Sequence, residues 1–394
     1  MFIGESLAHI RMLNDLSRSQ LAEKIDVSEQ AIWQYENGYA SPKLEVVNKL
    51  KNLFKVKSMY FYKEDMLKNI DLNNIKIENI AYRSDIINSV YKTQGEKIYL
   101  HYVEAFMKLI ESKIKYPKNL ILDLRAKAID LFQMDENIDR KELIKSVAKM
   151  SREFLGMPKD SNQNLLFVLE KSGIFIFEKE IGEKIDAYSL WSECDRAYIV
   201  LGTLRKSAVR RNFDLAHELG HLLLHHKEEF INNDKKTYNK LEKEADLFAS
   251  EFLIPSEEFE KDFEKIPKKS NPKAYLELKV KWSVSLQALA VKAYRMGLID
   301  YQQYRYFFMS INKYDYKKVE PLDDMIVIKR PSKVKSILQL LFEKNLLSVE
   351  ELLNKLLVDL SFITHLTGIE EEFFIKYTNS EKEFALADLE LKSK

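Results

Sequence analysis

The stretch FDLAHELGHLLLHH, residues 213–226, decides the fold of the larger part of this chain. Its centre is the pentapeptide HELGH, and a helix places His217 and His221 one turn apart on the same face. Their ring nitrogens can then bind one Zn²⁺, while the carboxylate of Glu218 reaches the attacking water. The stretch contains no proline and is rich in leucine, so we predict that it is a helix.

A second helix is predicted downstream, in LEKEADLFASEFLIP, where the apolar residues share one face and Pro255 ends the helix. Glu242 and Glu244 flank the apolar stripe at similar angles, so the periodicity leaves both open as a third metal ligand. Two histidines and a glutamate form the open ligand set of a catalytic zinc. Without this second segment, the two histidines could equally be ordinary residues of a helix. His225 lies one turn beyond His221, but one straight helix rarely supplies three ligands to one ion.

The N-terminal segment carries a different pattern, that of short helices joined by tight turns. Residues 3–13 are predicted to form an amphipathic helix, and Ser17 with Gln20 forms a capping box that opens a second helix. Ser28 caps a third helix, which Gly38 ends. Two short helices separated by a three- or four-residue turn are a helix-turn-helix.

If this module binds DNA, the start of the third helix enters the major groove. The residues predicted to face base edges are Glu29, Gln30, Trp33 and Gln34, with Ser28 at the start of the helix. The residues predicted to meet phosphates are Arg18, Gln20 and Lys43. Residues 1–65 hold nine basic and nine acidic residues, which predicts weak non-specific affinity and leaves a protein-contact role open. One short module reads few bases, so we expect a dimer on the operator.

Three separated motifs resemble the ImmA/IrrE family of bacterial metallopeptidases. They are the segment that ends in LAHELGHLLLHH, the segment EKEADLFASEFLIP and the segment LKVKWSVSLQALAVKAYRMGLIDYQQYR. The resemblance runs from roughly Phe154 to Pro321 and implies a zinc-dependent endopeptidase with a thermolysin-like pair of active-site helices. In that family the glutamate directly before the alanine of the second motif is the third ligand, which implies Glu244 over Glu242. Gly202 stands where family members often carry asparagine, a departure that concerns substrate contacts and not the metal.

The N-terminal pattern LSRSQLAEKIDVSEQAIWQYENGYASP resembles the XRE family of helix-turn-helix proteins, the Cro and phage-repressor type. The resemblance covers about residues 1–60. Asp26 occupies the position of the usual turn glycine, and aspartate tolerates positive φ better than most residues. The resemblance implies binding to an operator.

Length, charge and cysteine content limit the class of protein to which this sequence can belong. At 394 residues we expect several domains, and a net charge of +1 gives no general attraction to nucleic acid or membranes. The single cysteine, Cys194, excludes an internal disulfide framework, and no segment is apolar enough to span a membrane. We therefore expect a cytoplasmic protein. No internal repeat is evident.

The expected fold is α+β and mostly helical. We predict a helix-turn-helix domain at residues 1–65, a helical connector at 66–152, a zincin-like metallopeptidase domain at 153–321 and a helical C-terminal region at 322–394. The better helix candidates of the connector are residues 91–114 and 120–132. Strands are predicted at Ile174–Ile181 and Ala197–Gly202, in a small sheet against the active-site helix.

The predicted function is that of a DNA-binding zinc endopeptidase with Glu218 as general base. The resemblance implies a narrow protein substrate, a repressor or other regulator encoded nearby, whose cleavage switches stress, phage or mobile-element genes. The alternative is a transcriptional regulator or antitoxin in which the peptidase fold senses a ligand and cleaves nothing. An intact Glu218 argues against this alternative, because sensing requires no general base.

Overall fold

A computed structural model divides the chain into two compact units. Unit 1 comprises Met1–Ile77, Asp85–Pro117 and Val334–Lys394, and unit 2 comprises Glu78–Ser84 and Lys118–Lys333. The structure describes residues 1–63, 81–82, 90–115, 119–134, 138–180, 187–192, 194–203, 207–225 and 235–378. Helices predominate and strands form one small sheet, which confirms the predicted fold class.

Unit 1 begins with short helices and continues with a long one. They are α1 (Gly4–Leu13), α2 (Arg18–Ile25), α3 (Glu29–Glu36), α4 (Leu44–Phe54), a 3₁₀ turn (Ser58–Phe61) and α5 (Val90–Glu111). The first three agree closely with the predicted bounds, because their ends are set by local capping.

The ends of α2 and α3 have the predicted chemistry. The amide of Gln20 donates to the hydroxyl of Ser17 at 3.1 Å, and the amide of Ser17 donates to Gln20 Oε1 at 2.8 Å, which completes the capping box. Asp26 ends α2 with φ of 58°, in the left-handed region. Gly38 follows α3 with φ of 74°, a conformation that glycine adopts without steric cost.

Unit 2 contains the sheet and two groups of helices. Between residues 81–82, which form one strand of the sheet, and the rest of the sheet come α6 (Leu120–Met134), α7 (Arg140–Phe154) and α8 (Leu165–Ser172). After it come α9 (Ala208–Leu224), α10 (Lys235–Leu253), α11 (Ser256–Phe263), a 3₁₀ turn (Pro272–Tyr275), α12 (Leu276–Trp282), α13 (Leu286–Arg295) and α14 (Tyr301–Lys313). The helices of the predicted connector divide between the units, with α5 in unit 1 and α6 and α7 in unit 2.

The sheet has the strand order β1-β3-β4-β2. Its strands are β1 (Ala81–Tyr82), β2 (Phe175–Lys179), β3 (Ala187–Trp191) and β4 (Ala197–Gly202). β2 pairs with β4 in parallel, and β3 pairs antiparallel with both β4 and β1. β2 is shorter than predicted, and β3 was not predicted. The first four residues of β3 are all buried, so the strand lacks the alternation of apolar and polar residues that reveals a half-exposed strand.

Helix α9, which contains the HELGH sequence, packs against β3 and β4 and against α10. This arrangement confirms the predicted small sheet against the active-site helix. A Cβ atom on Gly220 would lie 3.1 Å from the side chain of Phe248 on α10. A glycine at this position therefore allows the two helices to approach closely, although it costs about 1 kcal/mol of helix propensity.

The C-terminal residues return to unit 1. They form α15 (Lys333–Glu343), α16 (Val349–Leu356) and α17 (Leu360–Thr367), and residues 371–378 are also helical. Leu338, Leu341 and Leu352 are fully buried, so these amphipathic helices contribute to the core of unit 1. Across the part of the chain that the structure describes, no helix is both long and apolar enough to cross a membrane.

Candidate metal centre and DNA-binding surface

Helices α9 and α10 bring three potential metal ligands together. The Nε2 atoms of His217 and His221 lie 3.0 Å apart. The carboxylate of Glu242 lies 3.4 Å from the first nitrogen and 3.3 Å from the second. The ligand atoms of the three residues all lie within 4.8 Å of one another, in a group that could hold a metal ion.

This geometry favours Glu242 over Glu244, the residue that the resemblance implied as the third ligand. Glu242 faces both histidines, whereas Glu244 Oε2 lies 3.2 Å from His225 Nε2 and accepts a hydrogen bond of 2.7 Å from Arg140. The two glutamates are separated by one residue of a helix, so their side chains diverge. Periodicity leaves the choice open, because it fixes the apolar stripe of α10 but not the rotation of α10 relative to α9.

The donor set of this group fits a divalent cation. Glu242 Oε1 is buried and accepts no hydrogen bond within the described residues, although His221 Nε2 lies 3.3 Å away. Burial of an unbonded carboxylate oxygen is costly unless a cation compensates it. Two imidazole nitrogens and one carboxylate are ligands that Zn²⁺ accepts.

Glu218 lies beside the candidate ligand His217 and is almost completely shielded from solvent. Its side chain is buried, and the hydroxyl of Ser189 on β3 donates to Glu218 Oε2 at 2.6 Å. Burial raises the pKa of Glu218 to about 7, although the contact with His217 opposes this shift. A carboxylate with such a pKa can both accept and return a proton near neutral pH.

Each histidine of the group is also bonded through its second nitrogen. His217 Nδ1 lies 3.0 Å from Asp246 Oδ1. Burial opposes protonation of His217, but the hydrogen bonds with Asp246 and Glu242 outweigh it and raise the pKa to about 9. His221 Nδ1 lies 3.0 Å from His225 Nδ1, and burial lowers the pKa of His221 to about 3. The ring of His221 is therefore neutral, with a lone pair that a metal can use.

A chain of contacts leads away from His221. It runs from His221 Nδ1 to His225, from His225 Nε2 to Glu244, and from Glu244 to Arg140 on α7. His225 is buried, and Glu244 is nearly so. Burial opposes ionisation of Glu244, but its hydrogen bonds with His225 and Arg140 outweigh burial and lower the pKa of this carboxyl. Glu244, which the resemblance implied as the third ligand, thus contacts His225, and His225 in turn contacts His221.

A cleft of about 500 Å³ lies next to the metal group. Its lining includes Asp246, which contacts His217, and Phe213, one turn before His217 on α9. Arg210 and Arg295 also line the cleft. Its volume falls within the range of roughly 300–1,000 Å³ that is typical of ligand-binding clefts.

Sequence reasoning missed Ser189, Asp246 and the supporting roles of His225 and Arg140. A signal existed for Asp246, because it lies four residues after Glu242 and therefore on the same side of α10. No comparable signal existed for Ser189 or Arg140, which reach the site from β3 and α7. Contacts between elements far apart in sequence depend on how those elements pack.

The predicted DNA-reading face of unit 1 is accessible. Glu29, Gln30 and Trp33 on α3 are exposed, and Gln34 is half-buried. The ring of Trp33 stacks on Tyr39 with centroids 5.1 Å apart, which fixes its orientation. The side chains on this face of α3 can therefore contact a DNA groove without a rearrangement of the domain.

The residues predicted to contact phosphates differ in whether their side chains already have partners within the protein. Lys43 is exposed, whereas Arg18 Nε donates to buried Glu36 Oε2 at 2.6 Å. Gln20 is engaged in the capping box, and the hydroxyl of Ser28 accepts from the amide of Ala31 at 3.1 Å. Arg18, Gln20 and Ser28 thus have structural partners besides their expected part in DNA contacts.

Comparison with family models gives two matches. Residues 7–61 match the helix-turn-helix family, and residues 169–294 match the IrrE N-terminal-like domain of peptidase family M78. Comparison with the curated proteins finds no match. The two domains occur in the order in which the sequence motifs occur, which confirms both resemblances. The chain thus carries an XRE-type helix-turn-helix domain followed by an IrrE N-terminal-like domain of the M78 metallopeptidases.

Proposed function

We propose that this protein is a DNA-binding zinc endopeptidase with His217, His221 and Glu242 as metal ligands. The observation that carries the proposal is the convergence of these three side chains beside buried Glu218. A Zn²⁺ ion held there would supply a Lewis acid, which polarises a scissile carbonyl and makes water more acidic. A set of three protein ligands leaves room for water and substrate, as catalytic zinc sites do.

Glu218 moves the proton. Its carboxylate accepts a proton from the attacking water and then delivers it to the leaving amine. The Ser189 hydroxyl donates to Oε2, which holds the carboxylate in one rotamer. The pKa of about 7, set by burial, suits both directions of transfer.

The supporting residues form hydrogen bonds with the Nδ1 atoms of His217 and His221, on the side of each ring that faces away from the metal site. An imidazole that binds a metal through Nε2 carries its proton on Nδ1. The Nδ1–H group of His217 donates a hydrogen bond to Asp246, and the Nδ1–H group of His221 donates one to His225 Nδ1. His225 then carries its own proton on Nε2 and donates to Glu244, whose charge Arg140 balances.

The helix-turn-helix domain restricts where the peptidase acts. Binding at a promoter raises the local concentration of other proteins bound there, and this favours one target without a strong subsite code. We propose that the substrate is a regulator of the repressor type, cut in an exposed segment. We also propose that two copies bind the operator and that the protein acts in the cytoplasm.

The test uses purified full-length protein loaded with zinc. Wild type and Glu218→Gln are incubated with casein and with the regulators encoded beside the gene, and the products are identified by mass spectrometry. We expect Glu218→Gln to retain about one zinc, because the side chain at position 218 is not a metal ligand, and to lose all cleavage of a neighbouring regulator. Casein should be cut slowly or not at all.

Two outcomes would contradict the proposal. Rapid digestion of casein by the wild type alone would exclude the narrow substrate range. A wild-type protein that binds zinc but cleaves no neighbouring regulator, with or without its operator DNA, would instead favour the regulator that senses a ligand without cleavage.

A further inference from the structure

Helix α4 of unit 1 ends in a tight corner, residues 55–57, which we call the first corner. Lys55 adopts the left-handed conformation with φ of 56°. The amides of Lys55 and Val56 both donate to the carbonyl of Lys51, which closes the last turn of α4. The chain then leaves in an extended conformation and enters the 3₁₀ turn.

Helix α16 ends in a corner of the same construction, residues 357–359, the second corner. Leu357 also has φ of 56°. The amides of Leu357 and Val358 both donate to the carbonyl of Leu353. A valine thus occupies the middle of both corners, and a helical segment follows each. The chain contains a short structural repeat that was not evident from the sequence.

The two corners pair with each other inside unit 1. Val56 and Val358 lie opposite each other in an antiparallel bridge, and both side chains are fully buried. The amide of the third residue of each corner donates to the carbonyl of the first residue of the other, at 2.8 Å in both directions. This reciprocal exchange is the pattern of a two-fold symmetric interface, here formed within one chain.

The side chains that follow the corners obey the same symmetry. Tyr60 and Phe362 each come four residues after the central valine, and both contact Tyr102 of α5. The Tyr60 and Tyr102 hydroxyls are hydrogen-bonded, and the Phe362 ring lies edge-on to Tyr102 with centroids 5.4 Å apart. The hydroxyl of Tyr99 donates to the carbonyl of Leu366 at 3.0 Å, which adds a second contact between α5 and α17.

Charge decides which partner suits the first corner. Two copies of this corner would bring Lys55 and Lys57 of one close to the same lysines of the other. The second corner instead offers Leu357 and Asp359 at the matching positions. Lys57 Nζ also donates to the side chain of Asn354 on α16. The second corner therefore complements the first, whereas a second copy of the first repels it.

We propose that the first corner is a docking site whose partner is the second corner of the same chain. The pairing fastens the C-terminal helices to the helix-turn-helix domain and occupies a face that would otherwise be open to a second protein molecule. Any dimer on DNA then forms through another surface.

An engineered disulfide tests whether the first corner pairs with the second corner of the same chain or with another protein molecule. Val56 and Val358 form a non-hydrogen-bonded pair, whose Cα atoms are ordinarily about 4.5 Å apart, a distance that a disulfide spans. The full chain carries Val56→Cys and Val358→Cys with Cys194→Ser, and the control carries Val56→Cys with Cys194→Ser. We expect mild oxidation to link the double variant within one chain, at monomer mass, while the control stays monomeric. Covalent dimers in either protein, or free thiols in the double variant, would overturn the proposal.

A proline tests whether the pairing holds the C-terminal helices. Lys57 has φ of −76°, so proline fits the backbone there while removing the amide that donates to the second corner. Lys57→Ala is the matched control, since it loses the same side chain but keeps the amide. We expect the Asp359 amide to exchange hydrogen at least about tenfold faster in Lys57→Pro than in Lys57→Ala. Equal protection of Asp359 in both variants would show that the corners do not hold each other.

Discussion

The candidate metal centre of unit 2 and the helix-turn-helix of unit 1 place their candidate functional side chains in opposite environments. His217 is fully buried and bonded on both ring nitrogens, whereas Trp33 is 43% exposed. A buried polar group depends on every neighbour, because an unbonded donor or acceptor costs free energy in a dry environment. An exposed group depends mainly on its own helix. A substitution at the candidate metal centre should therefore also affect neighbouring residues, whereas the effect of a substitution on the predicted DNA-reading face should stay local.

The sharpest test of this contrast is the pair Glu242→Ala and Glu244→Ala. We expect Glu242→Ala to lose essentially all bound zinc, because it removes a ligand. Glu244→Ala should keep zinc but bind it about 10–100-fold more weakly, since only the support of His225 is lost. Metal analysis after gel filtration and competition with a chelator measure both. Retention of zinc by Glu242→Ala together with its loss from Glu244→Ala would restore Glu244 as the ligand.

The proposed supporting role of His225 predicts an effect smaller than the loss of zinc expected for Glu242→Ala. His225→Ala should weaken zinc binding about 10–100-fold, because His221 Nδ1 loses its acceptor. His225→Gln should recover part of the affinity, since an amide can accept from His221 and donate to Glu244. The thermal stability of the zinc-free variants separates this role from a general packing defect. Zinc affinity of His225→Ala equal to that of the wild type would break the proposed chain.

On the DNA-binding surface, Gln30→Ala and Gln34→Ala should each cost about 1–3 kcal/mol of specific binding free energy. Lys43→Ala should weaken binding to all sequences alike and reduce the slope against salt by about one. Zinc content should not change in any of the three. Gel shifts with the upstream region of the gene measure affinity. Absence of retention at low salt would indicate a protein-contact domain instead.

The smallest expected effect is at the turn of the helix-turn-helix. Asp26 has φ of 58°, and its side chain is exposed, with Lys49 Nζ at 3.9 Å. Asp26→Gly should raise the free energy of unfolding by up to about 1 kcal/mol, because glycine adopts this conformation without a steric cost. Asp26→Ala should lower it. Thermal unfolding compares the three proteins, and a Gly variant less stable than the wild type would mean that the contact with Lys49 matters more than the backbone.

Local features of the sequence predicted much of this protein. Neighbouring residues form the capping box at Ser17, the turn at Asp26 and the end of α3 at Gly38. These features can therefore be predicted without the tertiary structure. The same holds for His217 and His221, whose common face follows from helical spacing alone.

The choice between Glu242 and Glu244 shows where such reasoning stops. Both glutamates flank the same apolar stripe, and only the packing of α10 against α9 turns one of them toward the histidines. Ser189 could not be predicted as a partner of Glu218, because β3 has no alternating pattern and lies far from α9 in sequence.

The sequence by itself determined the two domain types, their order and the helix that carries His217 and His221, because these depend on spacings within one helix or turn. Only the tertiary structure showed that Glu242 faces both histidines, that Glu244 contacts His225 instead, and that the first and second corners pair. Each of these pairs segments distant in sequence, and their alignment is fixed by side-chain packing across the whole unit.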